Sequence, residues 1–143
     1  MPPIDVVSDA SVALKWFHAE GEEEVDASRT MLDRYVQRVI ALHVLDLTPY
    51  EVGSALLRGR ASVAADRVAT VLEALADICP HVSASTAELR TAATLAERHG
   101  LTLYDAAYAA IAQSRGARLA TLDHALLQAG LGQRPSAILA ALG

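Results

Sequence analysis

The chain has 143 residues, a formal net charge of −5 and a hydrophobic fraction of 52%, enough apolar mass for one core and too much for a disordered chain. No run reaches the roughly 18 apolar residues that cross a bilayer, the N-terminus shows no basic stretch leading into an apolar one, and a single cysteine, Cys79, excludes an intrachain disulfide or a zinc cluster. These features predict a soluble, cytoplasmic protein with no membrane segment, and its acidic balance does not by itself advertise a nucleic-acid binder.

Ile4–Ser8 reads as a short buried strand with Asp9 at its carboxyl end, and Ser11–Phe17 as the helix after it. His18–Glu24 is polar and acidic with a glycine, which predicts a loop. Val25, Met31, Leu32, Tyr35 and Val36 make a helical stripe over Val25–Arg38, and Val39–Leu42 is β-branched enough for a second strand. Thr48, Pro49 and Glu51 supply an N-cap, a first-position proline and a third-position acid, so a helix is expected from Thr48 to about Gly59. Val63, Val68, Val71, Leu72 and Leu75 line a helix from Ser62 to Ile78, broken by Pro80. His81–Ala84 reads as a short strand. Ser85 and Glu88 form a capping box for a helix to Arg98, closed by Gly100. A helix from Thr102 to Arg115 closes at Gly116. Ala117–Leu122 reads as a strand with Asp123 just beyond it, then a short helix to Gly130, and the tail from Arg134 is expected to add a last strand and a turn. Strands alternating with helices predict one α/β domain over residues 1–143, a sandwich with a mostly parallel central sheet flanked by helices.

In open parallel sheets, ligands bind beyond the carboxyl ends of the strands. Asp9 and Asp123 sit at such ends, while Glu51 and Asp105 occupy the first turns of two helices. All four lie at element edges among apolar or small neighbours, unlike a solvated charge run. Carboxylates gathered around one point repel unless a cation neutralises them, and hard divalent cations prefer oxygen ligands. Each acid also has a plainer reading. Asp at a strand end caps the next helix, and an acid in a first helical turn complements the macrodipole. Only the coincidence of four favours a site. Ser11 and Thr121 stand beside two of these acids, either orienting a carboxylate or serving as a cap and a strand threonine.

Four segments carry a resemblance. Val7-Ser-Asp9-Ala-Ser-Val-Ala-Leu-Lys-Trp-Phe17, Pro49-Tyr-Glu51-Val, Leu101-Thr-Leu-Tyr-Asp105-Ala-Ala-Tyr108 onward to Gly116, and Ala120-Thr-Leu-Asp123 resemble, in order and spacing, the acidic motifs of PIN domains of the VapC toxin type. The resemblance implies a PIN-like α/β/α sandwich and a Mg²⁺- or Mn²⁺-dependent endoribonuclease toxin. Such a protein is usually a homodimer silenced by a cognate VapB-type antitoxin. It implies Asp9, Glu51, Asp105 and Asp123 as the catalytic acids. Asp9, Asp105 and Asp123 would hold metal, Glu51 would complete the shell or orient water, and the products would carry a 5′-phosphate and a 3′-hydroxyl. Some relatives have a further acid a helical turn after the fourth motif. Here that stretch is His124-Ala-Leu-Leu-Gln128, so one firmly held ion is expected, with a second arriving alongside RNA.

The alternative on the same fold is an RNA- or protein-binding module without catalysis, which retention of all four acids argues against. A phosphoryl-receiver domain needs a late-strand lysine, and the sole lysine is Lys15. Asp5 is expected at the far end of its strand from the site. The five histidines share no ligand spacing, Lys15, Arg58, Arg60 and Arg115 read as surface residues, and Trp16 and Phe17 as packing.

Overall fold

Alternation along the first strand sets the architecture. The computed structural model describes residues 2–19, 21, 23–60 and 62–143. In β1 (Ile4–Ser8) the side chain of Val6 enters one hydrophobic core and that of Val7 another, on the opposite face of the sheet. β2 (Ile40–Leu45) repeats the pattern: Ile40, Leu42 and Val44 pack into the first core and Leu45 into the second. β3 (His81–Val82) and β4 (Arg118–Ala120) complete a sheet of order β3-β2-β1-β4, parallel at every pairing among the described residues. The mostly parallel sandwich expected from the sequence is therefore the fold.

The first face is covered by α1 (Ala10–Phe17), α2 (Val25–Val36), α3 (Thr48–Arg58), α4 (Ala65–Ile78) and α8 (Pro135–Ala141). Met31, Leu75 and Ile138 are fully buried there, each contributing roughly 1.5–3 kcal/mol by leaving water. Trp16 packs in this core with its indole N–H donating to the Ser28 carbonyl at 3.0 Å. The second face carries α5 (Thr86–His99), α6 (Leu103–Ser114) and α7 (His124–Gln128). Residues Ala106 to Ala112 of α6 are all buried, and five alanines let α5 and the sheet approach this helix closely.

The chain moves outward from β1 through β2 to β3, then returns to place β4 on the other side of β1. The crevice beyond the ends of β1 and β4 is thus the point where the connections part, the preferred binding position in such sheets. Asp9 follows β1 and Asp123 follows β4 by three residues.

Three expectations are corrected. The tail from Arg134 is a helix, α8, because Pro135 cannot continue a ladder and fits the first helical position. What remains of the expected strand is Gln133, whose N–H donates to Leu119 and whose carbonyl accepts from Thr121. The fourth helix begins at Ala65, not Ser62, which stands at φ 43°. Thr48 is the first residue of α3 and not its cap, because its hydroxyl is engaged by the Leu45 N–H and the Tyr108 hydroxyl. Glu20 and Glu22 of the expected acidic loop lie outside the described residues.

Glu88 fastens α5 to α6. Its Oε1 accepts the Ser85 N–H at 2.9 Å while the Ser85 hydroxyl oxygen accepts the Glu88 N–H at 3.1 Å, the capping box read from the sequence. Arg115 at the end of α6 donates to both carboxylate oxygens, at 3.2 and 3.3 Å. Arg115 and the cap hold the carboxyl down at about 2. A depressed carboxyl adds stability that is present above its ordinary value near 4 and lost as pH falls towards 2. Glu88→Gln should destabilise the protein by about 1–2 kcal/mol at neutral pH. The gap in melting temperature from wild type should close between about pH 4.5 and 2. A gap independent of pH would refute this role.

Candidate active site

Asp9 is the best-anchored of the four acids. It caps α1, its Oδ1 accepting the Val12 N–H at 3.2 Å and the Ser11 hydroxyl at 2.6 Å. Its Oδ2 accepts the Thr121 hydroxyl. Ser11 in turn accepts the Leu122 N–H at 2.9 Å, and Thr121 accepts the Asp123 N–H at 2.9 Å. Each hydroxyl therefore has its proton on Asp9 and its lone pair on the loop after β4. Two hydroxyls lock the end of β1 to the segment carrying Asp123, and Asp9 N–H donating to Ala120 completes the tie. Asp9 is only 4% exposed. Burial pushes its carboxyl up to about 6, against the lowering effect of the three donors and with Glu51 adding repulsion.

Glu51 is held by a chain the sequence did not reveal. The Leu45 N–H donates to the Thr48 hydroxyl at 3.0 Å, Thr48 pairs with the Tyr108 hydroxyl at 2.7 Å, and Tyr108 donates to Glu51 Oε1 at 2.8 Å. Because the carboxylate can only accept, Thr48 is the donor to Tyr108. This explains the shifted start of α3: the Thr48 side chain turns inward, and Leu47 takes the cap position without a side-chain bond. Thr48 and Tyr108 are both buried. Burial and the neighbouring Glu51 raise the phenol well above its ordinary range, so it remains a donor at any relevant pH. The Glu51 carboxyl is itself raised, first by burial and then by Asp105 and Asp123, with the Tyr108 bond opposing.

Asp105 and Asp123 face each other. Asp105 sits in the first turn of α6, whose cap Thr102 accepts its N–H at 3.1 Å. Asp123 caps α7 through Oδ1, accepting the N–H groups of Ala125 and Leu126. Burial raises the Asp105 carboxyl, and Asp123 raises it further by charge and by lying within hydrogen-bonding reach. The four predicted acids thus form one electrostatic unit, with Asp9 coupled to Glu51, and Glu51 and Asp105 both coupled to Asp123. Asp5 is exposed at the opposite end of β1, as expected.

The donor set consists of carboxylate oxygens, which suits Mg²⁺ or Mn²⁺ and not a soft metal. Among the described residues no three ligand side chains stand close enough to enclose an ion unaided. Mg²⁺ keeps most of its waters and is commonly held directly by one or two carboxylates, so the close Asp105–Asp123 pair fits it, with other acids reaching through water. Burial is the main cause that raises the Glu51 and Asp105 carboxyls, and the repulsion that adds to it is the charge excess a cation would relieve.

Gly132 supports this geometry from behind. A Cβ there would meet Thr121 Cγ2 at 2.5 Å and Leu119 at 3.3 Å. Thr121 is fully buried with its hydroxyl committed to Asp9, so it cannot rotate away without breaking that bond. Gly132→Ala should destabilise the fold by about 1–3 kcal/mol. It should also reduce any activity dependent on Asp9 by roughly 10–100-fold, as loss of an orienting partner does. Unchanged melting and activity would show that the loop yields freely.

A family model for the PIN domain matches residues 6–130. Ribonuclease VapC3 of Pyrobaculum aerophilum is 35% identical over 127 residues, spanning 86% of this chain and 92% of that protein. The crystal structure of PAE2754 from the same organism superposes with a TM-score of 0.69 at 26% identity, covering 97% of this chain and 89% of that one. VapC20 of Mycobacterium tuberculosis, a sarcin–ricin loop cleaving toxin, superposes with a TM-score of 0.66 at 15% identity, covering 87% of this chain and 95% of its own, a likeness of fold alone.

Proposed function

The chain belongs to the PIN domain family, and on that premise we propose that it is a VapC-type endoribonuclease that hydrolyses RNA phosphodiester bonds with Mg²⁺ or Mn²⁺. The observation that carries this reading is the coupling of Asp9, Glu51, Asp105 and Asp123 into one excess of negative charge at the crevice between β1 and β4. The ribonuclease relative at 35% identity supports the substrate class.

Asp105, Asp123 and Asp9 are the residues that would hold the ion. When bound, it would supply charge stabilisation for the pentavalent phosphorus and make an attacking water more acidic. Asp9 contributes a fixed position, since Ser11, Thr121 and the Val12 N–H define both of its oxygens. Glu51 has Oε1 engaged by Tyr108 and its second oxygen available to orient the nucleophilic water and accept its proton. A carboxyl raised by burial is a stronger base than an exposed one. The protein would act in the cytoplasm as a homodimer, over a single domain spanning residues 1–143. No helix among the described residues is long and apolar enough to cross a membrane. A VapB-type antitoxin would silence it by presenting a cation or an apolar segment to the acidic crevice.

Purified protein incubated with RNA should cleave it only when Mg²⁺ or Mn²⁺ is present, leaving 5′-phosphate and 3′-hydroxyl ends. Asp105→Ala should lower the rate by more than the roughly 10–100-fold of an outer orienting residue. Ends carrying a 2′,3′-cyclic phosphate, or cleavage indifferent to Asp105, would reject the mechanism.

A further inference from the structure

Two tyrosines flank the acids and stand in solvent. Tyr50 is 79% exposed and Tyr104 66% exposed, whereas Tyr108 is buried. Each immediately precedes an acid of the site, Tyr50 before Glu51 in α3 and Tyr104 before Asp105 in α6. Both line one open cavity of about 640 Å³, together with Leu47, Ser54 and Glu51 itself. That volume lies within the roughly 300–1,000 Å³ of small-ligand sites.

We propose that Tyr50 and Tyr104 form a stacking site for one unpaired nucleobase of the RNA, on the nucleotide adjoining the phosphodiester that is cut. The inference rests on the ribonuclease reading and names how that same site holds its substrate. Continuity decides the occupant: Glu51 belongs both to the carboxylate unit and to the cavity wall, so a strand whose phosphate reaches the acids must set a neighbouring nucleoside at this cavity. Charge decides which part of the nucleotide enters. Among the described residues the cavity lining carries a carboxylate and no cation, which repels a phosphate and accepts a neutral heterocycle. Base N–H groups can donate to Glu51 or Ser54, and every base offers a π face to a tyrosine. Single-stranded RNA presents such splayed bases, stacked on aromatic side chains. Both tyrosines sit on helices, not on loops, so little ordering is needed before binding.

The test uses the full chain and a short single-stranded RNA containing its mapped cleavage site. Tyr50→Ala and Tyr104→Ala should each raise KM by roughly 5- to 100-fold, the range of one base–aromatic stack, with kcat within about threefold and melting unchanged. Phenylalanine at either position should restore KM. In wild type, an abasic nucleotide at one position beside the cut should reproduce the loss, and adding it to either alanine variant should cost little more, because the two partners of one contact are not additive. Wild-type cleavage with unchanged KM in both variants, losses that multiply with the abasic nucleotide, or phenylalanine behaving like alanine would overturn the stacking site while leaving the ribonuclease reading intact. Absence of metal-dependent cleavage by wild type would overturn both. Variants that cut RNA normally but no longer bind a protein inhibitor would assign this face to that protein and overturn the proposal.

Discussion

Replacing Asp9 with asparagine is expected to abolish most RNA cleavage while making the metal-free protein more stable. The ionised carboxylate is buried and coupled to Glu51, and the folded protein holds its carboxyl at about 6. An acid raised on folding opposes stability when ionised: the strain is absent below about pH 4, grows as pH rises through about 6, and is fully present at pH 7.5. Asparagine has the same shape without the charge. The gain has an upper bound of about 3 kcal/mol from a shift of about two units at 1.36 kcal/mol each. Rearranging the hydrogen bonds to Ser11 and Thr121 removes about 1 kcal/mol of it. The variant should therefore melt roughly 3–8 °C higher than wild type at pH 7.5 in a chelator, with the difference shrinking towards pH 4.5. Activity should fall by about 10²–10³-fold or more, the scale for losing a principal electrostatic group. A variant that melts lower than wild type at neutral pH would mean that the three donors outweigh burial and that the ionised form is the preferred one. This pairing of lost activity with gained stability separates a charge kept for function from one kept for the fold, since asparagine caps a helix about as well as aspartate and the substitution therefore tests the charge and not the cap.

The fold was legible because its signals are local. Short apolar or β-branched runs marked the strands, the Ser85–Glu88 box and Thr102 marked helix starts, and the acids at element edges marked the crevice. The parts that stayed hidden depend on contacts across the chain. Thr48, Pro49 and Glu51 have the pattern of a capped helix start, yet Thr48 bonds Leu45 and Tyr108, and no local rule ranks a buried partner sixty positions away above a cap. Tyr108 lies in a run of alanines, where a large aromatic reads as core. The one available signal was a phenol in an otherwise apolar stretch of helix, where burial would oblige it to find a polar partner. Ser11 and Thr121 take the orienting role, each donating to Asp9 while accepting a backbone N–H of the loop after β4, whereas Asp9 itself caps α1 and Thr121 lies one residue past β4, and neither contact is visible in a local window. The tail misled because a one-residue pairing at Gln133 and a proline-started helix share a sequence window too short for periodicity. Exposure of Tyr50 and Tyr104 was equally unreadable, since helix phase near a first turn does not show which face the neighbouring elements leave open.

The second large expected effect is stabilisation by the ion itself. Without a cation the folded state keeps Asp9, Glu51, Asp105 and Asp123 in mutual repulsion, and unfolding relieves it by separating the four residues. A divalent ion that binds only the folded arrangement adds RT ln(1 + [M]/Kd), about 2.7 kcal/mol at a hundred times Kd. For a chain of this size that corresponds to a rise in melting temperature of roughly 5–12 °C. Mn²⁺ titrated into wild type should give this rise in a saturable manner, at constant ionic strength so that screening contributes equally throughout. Asp105→Asn should remove most of the rise, because it takes one charge from the close Asp105–Asp123 pair. Glu88→Gln, whose carboxylate is engaged by Arg115 on the link between α5 and α6, should begin from a lower melting temperature and show the full rise. Asp9→Asn should begin from a higher one and show a reduced rise, so that its curve and that of wild type converge or cross as Mn²⁺ increases. That crossing requires one residue to be both the buried charge that destabilises the metal-free fold and part of what the ion neutralises. Parallel curves for all four proteins would place any bound Mn²⁺ away from the carboxylates and remove the physical basis for a metal-assisted nuclease in this crevice.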